Sequence, residues 1–201
     1  MTGTPSVWFL SPYASFAEME SAIKEKEYEL LKNGSNQAPV ARATSSTWIA
    51  LYRADLSYQP QKMELGKNRF LRVYQVRSGK SYQAVAEGKS LVAAYENAGV
   101  DTAFVCYEVV SGGLPGTLIF FEGMRSLAKL DTMNERWSAV TDALGAEKMS
   151  RIEESMARVY SSIEDILFAV RPEISRVTKE TMESDPAFWN AQAVTADWSL
   201  H

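Results

Sequence analysis

Four polar side chains stand inside segments that are otherwise apolar. Arg72 and Tyr74 lie in residues 70–77 (FLRVYQVR), Glu108 in residues 102–110 (TAFVCYEVV) and Glu122 in residues 117–123 (TLIFFEG). In an extended strand, alternate side chains share a face. Phe70, Arg72, Tyr74 and Val76 then stand together, as do Phe104, Cys106, Glu108 and Val110, and Leu118, Phe120 and Glu122. A sheet covered by helices on one side keeps its other side free to line a cavity, and there Arg72 is expected to meet Glu108 and Glu122. A guanidinium facing two carboxylates holds a polar ligand group, or shifts a carboxylate pKa toward acid–base work. The plainer alternative is strand-end side chains in water or a structural ion pair.

Few other residues offer chemistry. The only cysteine, Cys106, sits mid-strand without a neighbouring histidine and is expected to act as a small buried hydrophobe. The only histidine, His201, is the last residue, which excludes a His-based triad, a multi-His metal centre and an axial haem ligand held in an ordered interior. No metal and no cofactor are expected. Gly79-Lys80-Ser81 and Gly88-Lys89-Ser90 each spell the end of a phosphate-binding loop. Tyr74 and Gln83 stand where the full pattern needs its first glycine, so Gly79 is expected to be a turn residue and Ser78 or Ser81 a helix N-cap. The tryptophans are spread along the chain and are expected to pack or to dock a tail.

Across 201 residues the sequence is 46% hydrophobic and 23% charged, an ordinary globular balance. With 21 Lys and Arg against 25 Asp and Glu its net charge is -4, so no global positive field draws it to nucleic acid or an anionic membrane. Charges interrupt every apolar run before the roughly 20 residues of a membrane span. The N-terminus lacks the basic and apolar regions of a signal peptide, although a trimmed start leaves export open and the compartment unassigned.

The elements that would position the four side chains follow from periodicity. Residues 70–77 predict a strand. Ala84, Gly88, Leu91, Tyr95 and Ala98 then recur at helical steps, and Gly99 is placed to stop that helix. Residues 102–110 and 117–123 predict two strands joined by a glycine- and proline-containing hairpin. A second helical region runs from Trp137 through Ile163, divided at Gly145, and residues 165–170 predict a short last strand. The order is β-α-β-β-α-β, that of a ferredoxin-like unit.

Residues 6–20 align without a gap to residues 117–131, with Phe9/Phe120, Ser15/Ser126 and Ala17/Ala128 identical, and further pairs follow in the same order. This predicts an α+β chain of tandem units: a partial repeat over 1–60 (third strand at 7–13, second helix at 16–31, fourth strand at 48–56), a linker over 61–69, a complete repeat over 70–175, and a tail over 176–201. The alternative is a small β-α-β extension of one domain. The tail is expected to dock on its own domain or on a partner subunit.

Duplicated units of this order, the turn Ser78-Gly79-Lys80 and the junction at residues 120–128 (FFEGMRSLA) resemble the dimeric α/β-barrel superfamily, which includes antibiotic-biosynthesis-monooxygenase-like and NIPSNAP-like proteins. The resemblance implies two sheets paired around a small cavity, within a dimer or a duplicated chain. Some such proteins are cofactor-free oxygenases and some degrade haem; the haem-using branches call for a barrel histidine that this sequence lacks.

The expected function is binding of a small, largely apolar molecule in the barrel cavity, with Arg72, Tyr74, Glu108 and Glu122 as ligand-binding residues. One alternative is a cofactor-independent oxygenase or isomerase; another is a structural interaction module whose barrel is filled by its own side chains. An incomplete sheet leaves unpaired edges, so a homodimer is expected, with neither nucleic acid nor membrane as partner.

Overall fold

The computed structural model describes residues 6–32, 46–64, 66–175 and 177–190. The chain divides into two compact units, Met1–Ser45 and Ser46–His201.

In the first unit one helix forms, α1 (Phe16–Lys32). Its start is written in the sequence as Ser15-x-x-Glu18. Ser15 Oγ accepts from the Glu18 N–H at 3.1 Å, and the Glu18 carboxylate accepts from the Ala14 N–H at 2.6 Å, a reciprocal cap that satisfies first-turn donors. Residues 7–13, expected as a strand, carry neither helix nor strand. A strand needs a ladder partner, and among the described residues this segment pairs with none.

The second unit is mixed helix and sheet. Its strands are β1 (Ile49–Tyr52), β2 (Asn68–Val76), β3 (Phe104–Ser111), β4 (Thr117–Met124) and β5 (Tyr160–Ala169). They form one antiparallel sheet in the order β1-β3-β4-β2-β5. Between the strands lie α2 (Ser81–Ala98), α3 (Met133–Leu144) and α4 (Ala146–Val159), and after them the short α5 (Lys179–Ser184) and α6 (Pro186–Trp189). Thus β2, α2, β3, β4, the α3–α4 pair and β5 follow the expected order along the chain.

Local signals explain the boundaries. Gly99, at φ +59°, ends α2 in the left-handed conformation that glycine adopts freely. Gly145 divides α3 from α4 as expected. At the start of α2 the expectation fails: Lys80 is the N-cap and no side chain caps it. The last strand also differs. It begins at Tyr160, directly after α4, rather than at Asp165. Met156, Val159, Tyr160 and Ile163 keep a helical spacing across this junction, so periodicity alone runs past it. Tertiary partners end the helix: the Arg77 N–H donates to Val159 O at 2.8 Å, and its Nε reaches the carbonyls of Ala157 and Tyr160.

Among the described residues, two buried clusters organise this unit. Val76, Cys106 and Leu118 from the sheet pack with Leu56, Ala84 of α2 and Val159 of α4, with Tyr74, Phe120 and Tyr160 against them. Farther out, Ala94, Val140, Leu144 and Ile152 join α2, α3 and α4. In the tail, Asp185 caps α6 and Lys67 lies 5.7 Å from the centre of the Phe188 ring, a cation–π contact with the start of β2. Trp198 and His201 lie outside the described residues.

A basic cleft as candidate functional site

The strand register sets where the four expected residues go. Arg72 stands opposite Phe120 on β4 and Asp165 on β5, Glu108 opposite Leu118, and Glu122 between Phe70 and Phe104. All four share one face, as alternation requires. That face is the one packed by helices: Tyr74 and Phe120 belong to the cluster that includes Ala84 of α2. The face expected to be free for a cavity is therefore partly filled by the protein's own side chains.

Nor does Arg72 meet the two glutamates. Its guanidinium forms two parallel bonds to Asp165, at 2.6 and 2.7 Å, in a pair that is 38% and 43% exposed. Beside it Tyr74 is partly buried, which pushes its phenol up, an effect the Arg72 charge partly offsets. Glu108 pairs with Arg53, which is also held by both carboxylate oxygens of Asp55. Arg72 and Glu108 thus each have a partner the strand pattern did not reveal.

Glu122 is the one that leads to a cleft. Because β3 and β4 run antiparallel, the residues entering β3 lie beside those leaving β4, and Phe104 pairs with Glu122. Thr102 and Ala103 therefore meet Arg125 and Ser126, and α3 starts close by. A segment from earlier in the chain closes the end. A Cβ on Gly123 would lie 1.8 Å from the Glu64 carbonyl oxygen, so only glycine lets that backbone approach. There the Glu64 carboxylate accepts the Arg125 N–H at 3.1 Å.

These elements enclose a cleft of about 460 Å³, within the range of small-molecule sites. Four cations line it, Lys62, Arg125, Lys129 and Arg136, against two carboxylates, Glu64 and Asp101. Behind the cations lies Glu122, 16% exposed. Its Oε1 accepts from Thr102 Oγ1 at 2.7 Å and Arg136 Nη1 at 2.8 Å, and Lys129 Nζ lies at 3.3 Å. Burial pushes the Glu122 pKa up, but the Thr102 and Arg136 hydrogen bonds and the two cationic charges outweigh it and hold the carboxyl below its ordinary value. Arg136 also donates to Thr102 Oγ1 and to the Lys129 carbonyl. Its Nε is buried without a hydrogen-bond partner.

Chemically, an excess of cations over carboxylates suits an anion. Glu122 is a weak base, since its ionised form is the favoured one, so the Thr102 hydroxyl it accepts from is not activated as a nucleophile. Cys106 is fully buried, and burial pushes its thiol up to about 12. Among the described residues no group of three or more His, Cys, Asp or Glu is placed to hold a metal ion, and no helix is long and apolar enough to cross a membrane.

Sequence reasoning reached Glu122 but missed Lys62, Lys129, Thr132 and Arg136. Part of the signal was present: Arg125, Lys129, Thr132 and Arg136 recur at steps of four, three and four, which gathers polar groups on one side of a helical path. Lys62 and Thr102 arrive only through the tertiary fold. No protein-family model, no curated protein and no solved structure matches the chain.

Proposed function

We propose that the protein binds a small molecule rather than transforming it, and that the ligand carries an anionic group held in the cleft beside Glu122. The single observation behind this is the excess of cations around a cavity of ligand size whose one buried carboxylate is already engaged. The apolar ligand expected from the sequence becomes a molecule with an apolar body and an acidic end, since Val100 and Ala103 also line the cleft. Turnover as an oxygenase or isomerase has less support, because Glu122 is held in its ionised form by Thr102 and Arg136.

The order β3-β4-β2-β5, connected β-α-β-β-α-β, supports a ferredoxin-like unit and with it the dimeric α/β-barrel assignment. It also supports a homodimer. Among the described residues β5 is an outer strand of ten residues, exposing Ile163 and Leu167. The filling of the helix-facing side by Tyr74 and Phe120 favours a purely structural role for that face.

Titration of the ¹⁵N-labelled full chain with benzoate and its neutral isostere benzamide tests the binding reading. Benzoate should shift the amides of Thr102, Ser126 and Thr132, and benzamide should not. Equal responses to both, or shifts scattered over the surface, would overturn it.

A further inference from the structure

We infer that the anionic group the cleft takes is a phosphate monoester on a small soluble molecule, an inference that rests on the anion-binding reading above. The first support is the donor inventory. Among the described residues the side chains of Lys62 and Arg125 make no ion pair. Ser126 and Thr132 add hydroxyls to the lining, although Ser126 Oγ already accepts from the Ala128 N–H and Thr132 Oγ1 donates to the Lys129 carbonyl.

The second support is where these donors come from. Lys62 ends a 3-10 turn (Pro60–Lys62), Arg125 follows β4, and Arg136 lies in the first turns of α3. They approach the cleft from separate elements rather than in one plane. A carboxylate offers two oxygens in a plane, which a single guanidinium fork can satisfy. A phosphate monoester offers three splayed oxygens and a charge of about -1.5 to -2 at neutral pH, which suits several separated cations. The opening of α3 beside Thr132 adds first-turn N–H groups that lack helical acceptors.

Charge balance favours an anion in the cleft. The lining cations exceed the lining carboxylates by two, and by one when Glu122 is included. Among the described residues, Lys62 and Arg125 are the two lining cations that make no ion pair of their own.

Calorimetric titration of the full chain with phenyl phosphate, benzoate and inorganic phosphate tests this, alongside cosedimentation with vesicles containing phosphatidate. Phenyl phosphate should bind at least about tenfold more tightly than benzoate, the equivalent of one more charge-assisted hydrogen bond. Lys62→Gln and Arg125→Gln, both at side chains without an ion pair, should each weaken phenyl phosphate binding by about the same factor and leave benzoate less affected. Benzoate binding as tightly as phenyl phosphate would overturn the phosphate assignment and leave the anion site standing. Silence toward all three soluble anions would remove both readings. Binding confined to phosphatidate vesicles would overturn the small soluble ligand.

Discussion

Glu122 carries the most consequence of any single residue. It is buried, ionised and shared among Thr102, Arg136 and Lys129. Its folded pKa lies below the unfolded value of 4.5, so its stabilisation is complete above that value and is lost as pH falls through the folded pKa. Glu122→Gln should cost about 2 to 3 kcal/mol at neutral pH, on the scale of hydrogen bonds to charged groups, and should flatten the stability curve below pH 4.5. Chemical denaturation of both proteins from pH 3 to pH 7 reads both effects. Cys106 gives a second residue-scale prediction. With its thiol pushed up to about 12 and no exposed surface, it should resist alkylation at pH 8 in the folded protein and react on unfolding. Labelling of the native chain at the unfolded rate would contradict this. By contrast, Asp165→Asn should cost at most about 1 kcal/mol, because its pair with Arg72 is exposed and screened.

At the scale of elements, the cleft depends on a close backbone crossing. Gly123→Ala would drive a methyl group into the Glu64 carbonyl and push residues 62–64 off the end of β4. The expected cost is about 1 to 3 kcal/mol, typical of overpacking, together with loss of benzoate-induced shifts at Thr102. Thermal unfolding and the same titration check it, and unchanged binding would place the ligand elsewhere. The elements themselves were largely legible. Phe70, Arg72 and Tyr74 alternate as a strand does, and Gly99 and Gly145 mark real helix ends. The start of β5 was not, because Tyr160 and Ile163 continue the helical spacing of α4, and only pairing with β2 overrides it. Residues 6–13 resemble β4 in sequence yet form no strand, since resemblance does not supply a place in the sheet.

For the whole molecule, the proposed homodimer follows from edges and exposed apolar groups. Among the described residues β5 is a ten-residue outer strand, and such an edge is a template for association unless it is covered. Glu164 and Asp165 on that strand argue against indiscriminate pairing, and Arg72 compensates Asp165. Light scattering at micromolar concentration should give twice the mass of one chain. A monomer there would count against the dimer and, with it, against a barrel shared between two copies.

By itself the sequence determined the alternation that puts Arg72, Tyr74, Glu108 and Glu122 on one face, the order of strands and helices from β2 to β5, and the absence of a histidine other than His201. These are properties of local periodicity and composition, readable one segment at a time. The tertiary structure alone decided which face the helices cover, that Arg72 meets Asp165 while Glu108 meets Arg53, and that Lys62, Thr102 and Arg136 converge beside Glu122. Strand order and register fix those meetings, and they depend on packing energies summed over the whole sheet, which no single segment contains.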